Sequence, residues 1–251
     1  MKPGTVTGFL DSPPGFCYLL GMPRVARIVV PGCPHHITQR GNNRQDVFFT
    51  DDDRRLYLKV LADQARRHDV QVFGYCLMTN HVHLIAAPAD EKGMAEAVGR
   101  THWLYAQTVN RLHGRSGHLW QSRFYSCALD DAHLWAAMRY VENNPVRARL
   151  ARRAWTYAWS SAALHAKGRS DPHGLLELTK WRGYFTPDAW REYLLAALSD
   201  QDREALSHLR LHTNRGRPLG SDGFVAKLEA AMNRRLRPLP EGRPRKTDEN
   251  R

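Results

Sequence analysis

His81 and His83 flank a single valine in the run TNHVHLIAAP. Side chains two apart on a strand leave the same face. A strand over this run therefore aims both imidazoles at one point, where two neutral rings can share a divalent cation. Downstream, YVENNP spans Tyr140 to Pro145. On a helix, Tyr140 and Asn144 stand at i and i+4, roughly 40° apart on one face. Tyr140 offers a phenol that can attack as a nucleophile, and Asn144 a carboxamide oxygen that can ligate. His81, His83 and Asn144 then form a three-ligand site whose open positions suit phosphate oxygens and water. Such a set supports attack of Tyr140 on a metal-polarised phosphodiester, giving a phosphotyrosine that conserves the bond energy for rejoining. Two imidazoles favour Zn²⁺ or Mn²⁺, whereas phosphate chemistry favours Mg²⁺ or Mn²⁺.

The elements that must position these groups follow from periodicity. Residues 28–30 and 36–39 predict a first strand, and GNNR a turn. Asp51, Asp52 and Asp53 put negative charge at a helix start, and Leu56, Tyr57, Val60, Leu61 and Ala65 carry that helix to about 67. VQVFGYCLM and HVHLIAAP, joined by the tight turn TN, predict a hairpin. A second helix covers about 94–112, and RFYSCAL reads as a fourth strand. A third helix covers about 132–143, capped by Asp130 or Asp131 and stopped near Pro145; its stripe of Leu134, Ala137, Met138 and Val141 leaves Tyr140 at the edge. The order β-α-β-β-α-β-α predicts an α+β fold, a ferredoxin-like split βαβ antiparallel sheet with an added helix bearing the nucleophile. A mostly helical basic C-terminal extension follows. It has a wrap with a short helical piece after Ala151, an irregular stretch, helices near 187–198 and 201–211, and a helix capped by Ser221 and running to about 235.

Four units are expected: an N-terminal extension over 1–21, with Met22 as the working start; a catalytic domain over 22–166; a helical extension over 167–236 with candidate DNA-binding helices; and a disordered basic tail over 237–251. No stretch approaches the ~18 apolar residues of a membrane span, so no membrane partner is expected. Cys17, Cys33, Cys76 and Cys127 form no C-x-x-C and read as reduced thiols in a cytoplasm. The net charge of +12 points to a polyanion, with nucleic acid leading. Residues 210–251 hold eleven Lys/Arg against five Asp/Glu, half of the excess in a sixth of the chain.

HVHL, GHLWQSRFYS and YVENNPVRA, in this order and spacing, resemble the REP-associated tyrosine transposases of the single-tyrosine HUH superfamily, over roughly residues 22–166. GRPLGS, RRLRP and GRPRK resemble the basic tail of longer members. The resemblance implies metal ligation by His81 and His83, a nucleophile at Tyr140 and a helix-borne polar ligand at Asn144. It also implies Mg²⁺ or Mn²⁺, and single-stranded or hairpin DNA of palindromic repeats cut to a 5′-phosphotyrosine and a free 3′-OH. A single nucleophile tyrosine on the helix suggests cutting and rejoining of single strands. Monomer and homodimer both stay open. Cytoplasmic location, at the nucleoid when DNA is bound, goes with this reading. The alternatives are a catalytically silent nucleic-acid-binding regulator on the same fold and a metal hydrolase that uses water.

Further candidates for DNA contact are basic or aromatic. Arg40 and Arg44 sit beside the GNNR turn, where they can meet phosphates. Arg123 can hold phosphate and Trp120 can stack on an unpaired base; equally, Trp120 can be core and Arg123 a solvated strand-edge residue. Arg215, Arg217, Arg234 and Arg235 supply charge to a tail whose RGRP and GRPRK strings suit an A·T minor groove. The helices around NRGRPLG suggest a helix-turn-helix. His36 reads as a neighbour of the metal or as a satisfied surface histidine, and Glu142 as a solvent-facing helix residue.

Overall fold

Four strands make one antiparallel sheet: β1 (His35–Arg40), β2 (Val70–Met78), β3 (His81–Pro88) and β4 (Tyr125–Ala128), in the spatial order β2-β3-β1-β4. The computed structural model describes residues 27–237. The expected extension over 1–21, the start at Met22 and the tail beyond residue 237 lie outside the described residues. Helices α1 (Asp51–Arg67) and α2 (Gly93–Leu112) are the crossovers of the split βαβ halves, so the ferredoxin-like plan holds.

Local rules explain the scaffold. Thr50 accepts from Asp53 N, and Asp53 accepts from Thr50 N, a reciprocal capping box that starts α1. Tyr57, Leu58, Leu61 and Ala65 then face α2 residues Met94, Val98, Tyr105 and Val109 in a core that also takes Ile37, Leu84 and Ala86 from the sheet. Period-2 alternation sends His36, Thr38 and Arg40 of β1, and His81, His83 and Ile85 of β3, to the opposite face. There Arg40 pairs with His81, Thr38 with His83 and His36 with Ile85.

That second face is covered by α3 (Asp131–Glu142) and the extension. Asp130 caps α3 by accepting from His133 N at 2.9 Å, and its other oxygen accepts from Ser221 N at 2.8 Å, which fastens the start of α9 (Asp222–Ala231) to the start of α3. α3 lies close on β2 because Gly74 has no side chain: a Cβ there would stand 2.8 Å from Met138 Sδ. Between them come α4 (Asn144–Arg147), α5 (Ala162–Lys167), α6 (Thr179–Arg182), α7 (Pro187–Leu195) and α8 (Asp200–Arg215). Trp181, Trp190, Leu194, Leu209 and Leu219 of the extension share one buried cluster with Phe73, Ile85, Met138 and Tyr140. The packing has no break at residues 166–167.

Several expectations change. Residues 28–30 form no strand: the chain turns at Pro31-Gly32, where Gly32 has φ +68°, and Val30 N donates to His35 Nε2 instead of a ladder partner. The third helix ends at Glu142 with Asn143 as its cap, and Pro145 sits in the first turn of α4, where its missing N–H costs nothing. Ser199 and Asp202 form a second capping box that opens α8, which runs four residues beyond the expected 211 to Gly216, in the left-handed conformation. α7 is shorter than expected, and α9 closes at Ala231. The helix-turn-helix reading fails. The link between α8 and α9 is not a free turn, since Leu219 N donates to Ala128 O and Asp130 N to Leu219 O, extending the sheet edge. α8 itself packs on the sheet through buried Leu209 and Thr213.

Candidate active site

The face of the sheet under α3 and α8 presents His81 and His83 side by side, with ring centroids 5.1 Å apart. His83 is buried and meets His36 edge to edge, the centroids again 5.1 Å apart and the planes within 11°. The Tyr140 ring stands edge-on to both, 5.7 Å from His83 and 5.8 Å from His36. A cavity of ≈ 430 Å³ opens here, lined by these four residues together with Arg40, Asn144, Arg147, Arg210 and Thr213. The strand pair, α3 and the start of α4 thus bring His81, His83, Tyr140 and Asn144 to one cavity.

The histidines are held neutral, as ligands must be. Burial pushes His81 down to about 4, with Arg40 and Arg147 adding to the effect. Burial pushes His83 well below the ordinary range, and neighbouring His36, His81, Arg147 and Arg40 add to it. Burial brings His36 to about 3. His81 Nδ1 donates to Asn80 Oδ1 at 2.7 Å; the Asn80 amide is oriented by its Nδ2, which donates to Arg44 O at 3.0 Å. An amide oxygen only accepts, so His81 keeps its Nε2 lone pair for a ligand.

Tyr140 lies between two guanidiniums. Arg210 Nε donates to its hydroxyl at 3.3 Å. Arg147 lies over its ring, 4.0 Å from the centroid, and donates to Tyr140 O at 3.0 Å. Partial burial lowers the Arg147 pKa, while the Tyr140 phenol works in the opposite direction. Arg147 also donates to Asn144 Oδ1. A carboxamide oxygen has a second lone pair, and the buried Asn144 Nδ2 has no partner. Among the described residues no group of three or more His, Cys, Asp and Glu is placed to hold a metal. The donor set that fits a divalent ion is therefore two imidazoles and an amide. It carries no charge of its own, and leaves the cation's charge available to a phosphate.

Of the expected DNA contacts, Arg40 is exposed at the cavity rim and Arg44 is exposed on the adjoining turn. Arg123, Arg215 and Arg217 line a second cleft of ≈ 280 Å³ with Arg27, and Asn214 borders both spaces. Arg234 and Arg235 follow α9, and Arg235 O accepts from Arg217. Trp120 is corrected: it is buried, with Nε1 donating to His102 O at 3.0 Å, so its ring is core and has no face for a base. His36 is not a surface residue, and Glu142 does not face solvent. Glu142 Oε1 accepts from Ser161 and His165 at 2.6 Å each, and Oε2 from Trp190 at 2.7 Å, all buried. This carboxylate anchors α3 to α5 and α7. Sequence reasoning passed over Arg147, Arg210 and Thr213 as site residues.

Residues 29–144 match the family of IS200-like transposases. That segment belongs to the IS200-like transposase family. The match spans His81, His83, Tyr140 and Asn144, and it ends before Arg147, Arg210 and Thr213. No curated protein matches the chain. Two solved structures are similar at low level. One is a REP-associated tyrosine transposase bound to a REP hairpin, 16% identical over 62% of this chain and 90% of that one, with a TM-score of 0.48. The other is a putative transposase from Deinococcus radiodurans R1, 16% identical over 49% and 95%, with a TM-score of 0.34. At these values neither carries a role onto a residue of this chain. Among the described residues no helix is long and apolar enough to cross a membrane.

Proposed function

We propose that this transposase is a divalent-metal-dependent single-strand DNA endonuclease and strand transferase that uses Tyr140 as its nucleophile on palindromic repeat hairpins. One observation carries the reading: the Tyr140 ring lies edge-on to His83 at 5.7 Å, over the cavity that the His81–His83 pair and Asn144 share. His81, His83 and Asn144 would hold Mn²⁺ or Mg²⁺, which when bound polarises the scissile phosphodiester.

The chain's own groups account for the rest. The Tyr140 oxygen forms a bond to phosphorus while the bond from phosphorus to the 3′-oxygen breaks. The 5′-phosphate stays on the tyrosine, and the 3′-oxygen takes a proton from solvent and leaves as a hydroxyl. The phenol proton goes to solvent, because neither guanidinium can accept it. Arg210 and Arg147, at the hydroxyl and over the ring, hold the negative charge that the oxygen gains. Rejoining runs the same exchange backwards with a 3′-OH. Arg40 at the rim, and Arg123, Arg215 and Arg217 in the neighbouring cleft, meet the phosphates of a strand that crosses Asn214. Arg44, Arg234 and Arg235 add to this basic surface. An enzyme of this kind works in the cytoplasm on the nucleoid.

The test is cleavage of a labelled hairpin with a single-stranded flank in Mn²⁺. The account expects His83→Ala and Tyr140→Phe both to lose cutting. Retained cutting by Tyr140→Phe with loss in His83→Ala would mean a water-using hydrolase. Tight binding with no cutting in either metal would mean a silent DNA-binding regulator.

A further inference from the structure

His83 and Thr213 are joined through His36. The Thr213 hydroxyl donates to Leu209 O at 2.7 Å, within α8. With its proton so placed, Thr213 Oγ1 can only accept from His36 Nδ1, 2.8 Å away. His36 then carries its proton on Nδ1 and a bare lone pair on Nε2. His83 Nδ1, 2.9 Å from that lone pair, must donate to it. The consequence is a bare Nε2 on His83, the same tautomer that Asn80 imposes on His81. All three groups are buried, and the near-coplanar, edge-to-edge approach of His36 and His83 fixes the ring plane as well as the proton.

We propose that Thr213 and His36 are positioning residues that set the tautomer and orientation of His83 for metal binding, so that helix α8 completes the site from outside the transposase segment. The inference rests on the metal-binding reading above. Its physical basis is general: the group hydrogen-bonded to the far nitrogen of a ligating histidine fixes which nitrogen faces the metal, and losing that group costs about 10–100-fold in affinity. Thr213 lies 177 positions from His36 and beyond residue 144, where the family match stops. Without α8, His36 has no acceptor at Nδ1 and can donate from Nε2 instead. His83 would then be turned to carry its proton on Nε2, the nitrogen a metal needs.

Two readouts on the full chain test this, one without metal. Long-range ¹H–¹⁵N correlation of the metal-free protein reports the protonated nitrogen of each histidine. We expect His83 protonated on Nδ1 in wild type and in Thr213→Ser, and protonated largely on Nε2 in Thr213→Val. Mn²⁺ titration should show Thr213→Val about 10–100-fold weaker than wild type and Thr213→Ser within a few-fold. If Thr213→Val does not fold, the comparison passes to His36. There His36→Gln, whose amide oxygen can accept from His83, should bind Mn²⁺ more tightly than His36→Leu. His83 protonated on Nε2 in wild type would overturn the proposal. So would unchanged tautomer and Mn²⁺ affinity in Thr213→Val while His83→Ala loses Mn²⁺. Absence of Mn²⁺ binding in wild type would instead remove the metal reading, and the tautomer comparison would still decide whether the relay exists.

Discussion

Arg210 Nε donates to the Tyr140 hydroxyl across 3.3 Å and 70 positions of sequence. The two residues come from helices packed on the same face of the sheet, α8 and α3, and the contact puts a permanent positive charge where the proposed mechanism forms a phenolate. Arg210→Ala should slow adduct formation about 100–1,000-fold and leave Mn²⁺ affinity unchanged. Arg210→Lys should recover part of the rate, since it keeps the charge and loses the planar donor. Single-turnover kinetics with a labelled hairpin measure this, and an unchanged rate in Arg210→Ala would remove Arg210 from the chemistry.

The cleft lined by Arg123 and Arg215 should act through charge alone. Arg123→Ala should weaken DNA binding to a similar extent for different sequences, and reduce the slope of log K against log salt by about one. Trp120→Ala should behave differently. The ring is buried against Tyr57, His102 and Tyr105, so its loss should cost about 3–5 kcal/mol of stability and leave the salt slope alone. Fluorescence anisotropy over a salt series and urea unfolding separate the two outcomes.

Glu142 should matter for folding and not for cutting as such. Removing it leaves His165, Ser161 and Trp190 without their shared acceptor in a buried place. Glu142→Ala should therefore lose about 3–5 kcal/mol, seen as a lower urea midpoint. Wild-type stability in this variant would contradict the anchor.

Stability should fall in mild acid. Burial holds His35 at about 4 and His102 at about 3, below the ordinary histidine value. His35 donates from Nδ1 to Cys33 O and accepts from Val30 N, so it is bound as the neutral ring; His102 is paired with the Tyr57 hydroxyl. Both folded values lie below about 6.5, the unfolded one. Their contribution is thus complete above pH 6.5 and is lost as pH falls towards 4, because only the unfolded chain takes up the protons. Each should cost about 1.4 kcal/mol per pH unit in that window. Urea unfolding at pH 7.5, 6 and 5 reads the slope, and His102→Phe should flatten it.

The sheet and its crossovers were legible because their signals are local. The TN turn joins two apolar runs at β2 and β3, and Asp51 to Asp53 mark the start of α1. The same locality made His81, His83 and Tyr140 candidates, and the structure brings them to one cavity. What stayed hidden depends on distant partners. Nothing near Glu142 in sequence announces Trp190, and nothing near His36 announces Thr213. Trp120 shows the reverse: a ring suited to stacking in composition is enclosed by α1 and α2. For α8 a signal was present. Ser199 with Asp202 at one end and Gly216 at the other bracket a helix long enough to include Thr213. Reading those caps would have carried the helix into the site.

The central claim is that Tyr140 becomes covalently joined to DNA. The protein is incubated with a hairpin bearing a single-stranded flank and Mn²⁺, the covalent product is digested with protease and nuclease, and the modified peptide is sequenced by mass spectrometry. The account predicts a nucleotide attached through its 5′-phosphate to Tyr140, and no adduct in Tyr140→Phe. An adduct on another residue, or one that persists in Tyr140→Phe, would contradict it.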